Sequence, residues 1–328
     1  MLRIAVLIPC QNEETTIAKV VRDFSASLPQ ASIYVFDNNS SDRTRALAAA
    51  AGAEVRTESR QGKGHVVRRM FADIDADVYV LVDGDDTYDA AAAPAMIDRL
   101  VHDRLDLVNG ARSSISEEAF RPGHRLGNRA LTTMVRLIFG PHFIDMLSGY
   151  KVFSRRFVKT FPALSNGFEL ETELTVHALD LRMPSAEIIV PYRQRPRGSQ
   201  SKLHTFRDGF RILIVIGKLI KHGRPLLFFT VLGTVIGALS LALGIPIIGE
   251  FFRTGLVPRL PTAVLSACLG LLATQLVIFG FLLESVTRVS REIKRLAYVG
   301  ILPVPLAPTI IADESRKSSS HDLSPRAN

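Results

Sequence analysis

The chain has 328 residues, of which 47% are hydrophobic, and it carries a formal net charge of +8. This length and apolar content are sufficient to bury a large core and to add a second segment to one domain. With two cysteines, Cys10 and Cys268, the sequence excludes a disulfide framework. It contains no zinc finger or other familiar nucleic-acid motif, so the basic charge does not indicate a nucleic-acid partner.

Apolar spacing and turn residues predict alternating strands and helices over the first 112 residues. In chain order the predicted strands are 4–8, 33–36, 54–56, a strand from 78 and 105–109, and the predicted helices are 13–27, 42–51, 63–74 and 94–101. This alternation predicts an α/β fold with a mostly parallel sheet and helices on both faces. In such sheets ligands bind at the carboxyl ends of the strands.

The predicted strand that begins at Val78 ends abruptly in carboxylates. Asp83, Gly84, Asp85 and Asp86 follow it directly. Gly84 lets the backbone bend so that Asp83 and Asp85 can face one point, where they repel each other unless a cation lies between them. Hard oxygen ligands suit Mg²⁺ or Mn²⁺, and we predict a metal bound with a phosphorylated substrate. A solvated turn at a strand end is the alternative.

Polar loops also follow the first three predicted strands, at 9–14, 37–42 and 61–64. Asp37 and Asn38 offer acceptors for a base or ribose, and the glycines beside Lys63 allow a phosphate to approach. Each loop has a structural alternative as a helix cap or an ordinary turn. Their recurrence at successive strand ends favours a nucleotide site.

Two uncharged apolar runs follow, at 226–248 and 262–283, of 23 and 22 residues. Each is long enough to cross a hydrocarbon layer roughly 30 Å thick, and they predict two transmembrane helices. Lysine and arginine flank the pair on its outer sides, which predicts that the large segments before and after the spans, and with them both termini, are cytoplasmic. The predicted location is therefore the inner (cytoplasmic) membrane, as a multi-pass protein. The segment before the first run reads as a basic amphipathic helix at the membrane interface.

Residue by residue, several motifs resemble family 2 glycosyltransferases. Ile8-Pro-Cys-Gln-Asn-Glu-Glu14, Val35-Phe-Asp-Asn-Asn-Ser-Ser41 and Val82-Asp-Gly-Asp-Asp86 resemble the nucleotide-sugar half of the GT-A fold. Asn109-Gly-Ala-Arg112 and Asp145-Met-Leu-Ser-Gly-Tyr150 are similar to the group that contains dolichyl-phosphate mannose synthase and bacterial polyprenyl-phosphate glycosyltransferases. The resemblance extends over about 4–221, and the following spans resemble the bacterial membrane anchors.

The residue patterns and this resemblance together predict a division into four parts. They are a GT-A catalytic domain over 1–202, an interfacial helix over 203–224, a two-helix anchor over 225–287, and a basic segment with a disordered tail, expected from about 301, over 288–328. The GT-A domain is a Rossmann-like α/β fold, with its mostly parallel sheet.

The resemblance also implies roles for individual residues. The nucleotide sugar would be bound by Pro9, Asn12, Glu13, Asp37, Asn38, Lys63, Asp83 and Gly84, and the metal by Asp83 and Asp85. Catalytic roles fall to Asp145, Asp85 and Lys202. Two departures affect the base preference and the third metal ligand: Asn38 stands where many relatives have Asp, and Thr87 where mannose synthases often have Gln.

The chemistry implied is transfer of one sugar, with inversion, from a UDP- or GDP-linked donor to a polyprenyl phosphate. An acceptor phosphate is already anionic near neutral pH, so a strong base is less necessary than positive charge around it. Candidates for that charge are Arg112, Arg125, Arg129, Arg195, Arg197 and Lys202. The bilayer is a further expected partner, and the sequence does not decide whether the chain forms a homo-oligomer.

Two other functions compete with this one. A processive polysaccharide synthase would carry a Gln-x-x-Arg-Trp motif, and the sequence has no tryptophan. An inactive nucleotide-binding scaffold would need neither the acids nor Lys202.

Overall fold

The computed structural model describes residues 2–113, 143–162, 170–193 and 224–305. These residues divide into two compact units. The first comprises 2–113, 143–162, 170–193 and 298–305, and the second comprises 224–297. The predicted interfacial helix lies outside the described residues, so the predicted domain boundaries stay predictions.

The first unit is a sheet with helices on both faces. Its elements are β1 Ile4–Cys10, α1 Ile17–Ser27, β2 Ser32–Asp37, α2 Thr44–Ala50, β3 Glu54–Thr57, α3 Lys63–Asp73, β4 Val78–Leu81, α4 Ala93–His102, β5 Leu107–Arg112, β6 Lys151–Ser154, α5 Arg155–Thr160, α6 Leu170–Asp180 and β7 Ser185–Val190. Within the described residues the strand order is β3-β2-β1-β4-β6-β5-β7. Each pair is parallel except those that β6 makes with β4 and β5.

The apolar periodicity explains these elements. All four residues of β4 are buried, as expected of a strand covered on both faces. In α1 the buried residues are Ile17, Val20, Val21 and Phe24, which share one helix face. The helix begins at Ile17 rather than at the predicted 13, because the segment before it forms turns. The last predicted strand, 105–109, is shifted to Leu107–Arg112.

The carboxyl ends of the parallel strands meet at one edge of the sheet, which we call the carboxyl edge. β1 pairs with β2 so that Cys10 lies opposite Asp37, and β4 is parallel to β1. Because β6 runs antiparallel, its first residue, Lys151, lies at this same edge. The edge therefore gathers the residues that follow β1, β2 and β4 and the segment that precedes β6.

The second unit contains two long helices, α7 Pro225–Thr254 and α8 Leu260–Val299. By length and composition both are candidate membrane spans. They pack through small residues: Ser240 and Ser266 each donate a hydroxyl to the other's carbonyl, at 2.7 and 2.9 Å. A Cβ at Gly233 would lie 3.0 Å from the Ala273 carbonyl, so glycine allows close backbone approach.

Residues 298–305, which include the last two residues of α8, belong to the first unit. The Tyr298 hydroxyl donates to Asp106 Oδ2 at 2.7 Å, and the Arg156 guanidinium lies over the Tyr298 ring. Val304 is buried in the hydrophobic core. The prediction of a disordered tail from about 301 is therefore wrong for Val304, because its side chain packs in the core. Residues 306–328 lie outside the described part.

Candidate active site at the carboxyl edge

The loops after β1 and β2 are joined by hydrogen bonds. Asn12 has φ +52, a conformation that asparagine tolerates better than most residues. Its side-chain oxygen accepts from the Ser41 amide at 2.8 Å, and its own amide donates to the Ser40 hydroxyl at 2.9 Å. Glu13 is buried and its amide donates to Thr44. Asn12 and Glu13 therefore shape this loop pair, while Pro9 lies within β1.

Asp37, the last residue of β2, has a buried carboxylate with one oxygen left over. Oδ2 accepts from the Ser40 amide at 3.2 Å and lies 3.7 Å from Arg45 Nε. Oδ1 has no hydrogen-bond partner within the described residues. A buried carboxylate oxygen without a donor is costly, and a ligand hydroxyl or N–H group would remove that cost.

The Asn38 side chain holds the loop between β3 and α3. Its oxygen accepts from the Gly62 amide at 2.7 Å. Its nitrogen donates to the carbonyls of Glu58 and Arg60 at 2.9 and 2.8 Å. Gly62 has φ +128, which favours glycine, and it places Lys63 at the start of α3. The structure thus gives Asn38 a positioning role, and its predicted contact with a nucleotide stays a prediction.

The acidic segment after β4 places its two predicted metal ligands differently. Asp83 is partly exposed and its Oδ1 accepts from Lys63. Asp85 is buried, and its Oδ1 accepts from the Thr87 hydroxyl at 2.6 Å and from the Thr87 amide at 3.2 Å. Thr87, where mannose synthases often have Gln, orients Asp85.

Gly84 is required for close packing more than for a bend. A Cβ there would lie 2.5 Å from Cys10 Sγ, and Gly84 has no positive φ. The Thr16 hydroxyl donates to the Gly84 carbonyl at 2.7 Å and fixes the peptide between the two acids. The structure thus adds a steric reason for glycine here, and the expectation that Gly84 lets the chain bend between the two acids stays a prediction.

The Lys63 ammonium lies between two carboxylates. Nζ is 2.5 Å from Asp83 Oδ1 and 2.6 Å from Glu171 Oε1, on α6. Burial alone would lower the pKa of Lys63, but the charges of Asp83 and Glu171 overcome it and raise that pKa above its ordinary value. Lys63 is therefore a permanent cation at the edge.

Asp145, which is buried, and Arg112, which is half-buried, form an ion pair with two-point geometry. Asp145 Oδ2 accepts from Arg112 Nε at 2.6 Å and Oδ1 accepts from Nη2 at 2.8 Å. Burial alone would raise the pKa of Asp145, but the Arg112 guanidinium holds that pKa below its ordinary value. Asp145 is thus an anion at neutral pH that fixes the plane of the guanidinium.

A second polar network holds the Asp145 segment in place. Glu187 on β7 accepts from the amides of Ile144 and Asp145, at 2.7 and 3.0 Å, and from Asn109 Nδ2 at 2.7 Å. Lys151, fully buried, donates to Asn109 Oδ1 at 2.5 Å. The sequence reasoning missed Glu187 and Lys151. Their signal was a single charge in each of two otherwise uncharged strands, at the first position of β6 and within β7.

Gly149 connects this segment to the acidic one. Its amide donates to the Tyr88 hydroxyl at 2.8 Å, and a Cβ at Gly149 would clash with Asp83 Oδ2. The structure therefore brings Asp83, Lys63, Arg112 and Asp145 to one edge of the sheet. Five predicted phosphate-binding residues lie outside the described part: Arg125, Arg129, Arg195, Arg197 and Lys202.

The carboxylates at the carboxyl edge fit a divalent cation whose remaining ligands come from water or a bound phosphate. Within the described ranges no group of three His, Cys, Asp or Glu side chains is arranged to hold a metal. Asp83 and Glu171 already share one cationic group, the Lys63 ammonium, which shows that a positive charge is accommodated here. Mg²⁺ typically binds one or two protein carboxylates and completes its shell with water and substrate phosphates.

Comparison with known proteins agrees with this arrangement. Residues 5–161 match the family described as "Glycosyl transferase family 2". Glycosyltransferase AglJ of Haloferax volcanii is 32% identical over 290 residues, which cover 88% of this chain and 95% of AglJ. A dolichyl-phosphate hexose transferase of the same organism is 29% identical over 209 residues, 64% of this chain and 90% of the relative.

A solved structure also resembles this fold. Glucosyl-3-phosphoglycerate synthase from Mycobacterium tuberculosis, in complex with Mn²⁺, UDP and glucosyl-3-phosphoglycerate, matches with a TM-score of 0.56 and 25% identity. The match covers 67% of this chain and 79% of that one. The predicted fold, a GT-A-like sheet with helices and two candidate spans, is therefore confirmed. The chain belongs to glycosyl transferase family 2 and is a glycosyltransferase.

Proposed function

We propose that this glycosyltransferase moves a single sugar from a nucleotide-diphosphate donor, UDP- or GDP-linked, to a polyprenyl phosphate. The observation that carries the proposal is the presence in one chain of a family 2 catalytic sheet and two helices long and apolar enough to cross a membrane. A lipid acceptor suits such a chain because its phosphate lies at the membrane surface. The relative named dolichyl-phosphate hexose transferase supports the same acceptor class.

The nucleotide sugar would bind where the loops after β1, β2 and β3 meet. Asp37 Oδ1, buried and without a donor among the described residues, can accept a hydrogen bond from the base or ribose. Asn12 and Asn38 keep the neighbouring loops in shape. The solved relative that holds UDP supports a uridine nucleotide.

Asp83 and Asp85 would hold Mg²⁺ or Mn²⁺ with the donor diphosphate. When bound, the metal supplies charge stabilisation for the leaving diphosphate. Asp83 presents Oδ2, which accepts no hydrogen bond from the described residues, and Thr87 orients Asp85. The solved relative that contains Mn²⁺ supports a divalent metal.

Asp145 and Arg112 would act on the acceptor. Asp145 holds the plane of the Arg112 guanidinium, which would present its positive charge to a phosphate. Because its pKa is lowered, Asp145 is a weak base, so its role at neutral pH would be to orient Arg112 rather than to accept a proton. The remaining predicted phosphate ligands complete this part of the proposal: Arg125, Arg129, Arg195, Arg197 and Lys202.

We place the catalytic unit and both termini on the cytoplasmic side of the inner membrane, because Lys and Arg flank the spans on their outer sides.

The test uses the full chain in lipid nanodiscs, with labelled UDP- and GDP-sugars, Mn²⁺ or Mg²⁺, and undecaprenyl phosphate. Mass spectrometry should identify a lipid carrying one sugar. Release of nucleotide without a lipid product would overturn the acceptor, and a lipid carrying a long polymer would indicate a processive synthase instead.

A pair of matched variants tests the metal site. Asp83→Asn should abolish transfer, whereas Asp86→Asn should not, because Asp86 is paired with Lys19 and has φ +57, which asparagine tolerates. A chelator should remove activity from the wild type. Transfer that survives both Asp83→Asn and chelation would exclude a metal at this site.

A further inference from the structure

Three chain segments meet at the Lys63 ammonium. Lys63 is the first residue of α3, Asp83 follows β4, and Glu171 lies on α6, 108 positions from Lys63. The side chains of Lys63 and Glu171 are only 13% and 8% exposed. Solvent therefore screens this ion pair poorly, and it is stronger than a surface salt bridge.

The charges of this triad conflict with a metal at Asp83. One ammonium and two carboxylates leave a single net negative charge. A divalent cation at Asp83 would lie close to the Lys63 ammonium, and the two would repel each other. Lys63 already holds Asp83 Oδ1, so a divalent cation at Oδ2 would be repelled by the ammonium, and the two cations compete for the carboxylate.

We propose that the Lys63 ammonium is the resident counter-ion of Asp83 and competes with the divalent metal, so that the metal is taken up together with the nucleotide diphosphate. This inference rests on the proposed metal site. Glu171 would keep its ion pair with Lys63 when the Asp83 carboxylate binds the metal.

The diphosphate resolves the competition in two ways. It is an anion that pairs with the Lys63 ammonium when Asp83 is withdrawn. It also supplies oxygen ligands beyond those of Asp83 and Asp85, since no group of three metal-binding side chains lies within the described ranges. Metal and nucleotide should therefore each increase the affinity for the other, by the same factor.

The experiment measures Mn²⁺ binding by the loss of the free Mn²⁺ electron paramagnetic resonance signal. The full chain in nanodiscs is titrated with and without UDP, as the wild type and as Lys63→Met. Without UDP, Lys63→Met should bind Mn²⁺ about tenfold more tightly than the wild type, because the competing cation is gone. The same variant should bind UDP more weakly, since its diphosphate loses a cationic partner.

These opposite signs separate competition from a structural role, which would weaken both ligands. Lys19→Met is the matched control, because Lys19 pairs with Asp86 in the same acidic segment but is exposed. It removes one positive charge nearby and should leave Mn²⁺ affinity within about twofold. Where Lys63→Met fails to fold, Lys63→Gln removes the charge and keeps a polar end.

Three outcomes would count against the inference. Equal Mn²⁺ affinity of wild type and Lys63→Met without UDP would overturn it, while Mn²⁺ binding in the presence of UDP leaves the proposed function intact. An equal gain in Mn²⁺ affinity in Lys19→Met would show that any nearby positive charge has the same effect, and it would also overturn the inference. Wild type that binds no Mn²⁺ even with UDP would overturn both the inference and the proposed metal site.

Discussion

Replacing Glu187 by glutamine tests how the Asp145 segment is positioned. The Glu187 carboxylate accepts three hydrogen bonds: Oε1 from Asn109 and from the Asp145 amide, and Oε2 from the Ile144 amide. Glutamine has one acceptor oxygen, so in either orientation at least one N–H group faces an NH₂ group and loses its partner. The hydrogen bonds that remain lose the charge of the acceptor.

The expected cost follows from these contacts. A hydrogen bond to a charged group contributes about 1.5–3 kcal/mol and a neutral one about 0.5–1.5 kcal/mol. Losing one charged hydrogen bond therefore costs at least about 1.5 kcal/mol of local stability, and weakening the other two adds to this cost. Because 1.4 kcal/mol corresponds to a factor of ten, the local opening constant should rise by at least about tenfold.

Hydrogen exchange measured by mass spectrometry on the full chain provides the assay. The peptide that contains Ile144 and Asp145 should exchange at least about tenfold faster in Glu187→Gln. The Asp106 amide, which donates to the Pro184 carbonyl, should not change. Glu54→Gln, a substitution on the exposed edge strand β3, is the matched control.

Activity completes the test. Sugar transfer should fall about tenfold in Glu187→Gln while UDP affinity is retained, because Asp37 lies in a different part of the edge. Unchanged exchange at Ile144 and Asp145 would refute the reasoning. Loss of UDP binding together with transfer would show general unfolding instead.

Two further substitutions probe the same edge. Burial lowers the pKa of Lys151 to about 8, below the value it has in the unfolded chain. Between these two pKa values the unfolded state binds more protons than the folded state. The stability of the wild type should therefore rise from about pH 8 to pH 10. In thermal unfolding, Lys151→Met should lack this rise, and a difference independent of pH would contradict the shift. Gly149→Ala should displace the Asp83 carboxylate and reduce transfer about tenfold or more, whereas Gly249→Ala, with open space around its new methyl group, should not. Full activity in Gly149→Ala would show that Asp83 can move at no cost.

The sequence predicted the elements that depend on local periodicity. The apolar run of β4 and the acids after it identify a buried strand and the edge at which it ends, and Asp83 does lie at that edge. The two uncharged runs likewise predicted long apolar helices, because a run of about twenty apolar residues indicates such a helix without knowledge of its tertiary contacts.

The sequence reasoning did not anticipate the antiparallel strand β6. Its insertion between β4 and β5 brings Lys151 and the segment before it to the carboxyl edge. A four-residue strand gives too short a pattern to reveal its direction or its neighbours. The position of Asp145 at the edge could therefore be inferred only from the resemblance to a family.

The sequence also did not reveal which partners individual polar groups bind. Asn38 and Lys63 have the residue types and spacing of ligand contacts, and the sequence analysis assigned both to a nucleotide. In the structure the Asn38 amide holds a loop, and the Lys63 ammonium holds Asp83 and Glu171. A sequence shows which polar groups are available, but only packing shows which of them are already engaged.

The sequence by itself therefore determined the class of fold, the two apolar helices and the acidic strand end. The tertiary structure alone decided that Lys63 pairs with Glu171, that Glu187 holds the Asp145 segment, and that Gly149 lies against Asp83. The physical reason is range. Periodicity and charge clustering act between neighbours in the chain, whereas these contacts join residues tens of positions apart, which meet only when the sheet is assembled.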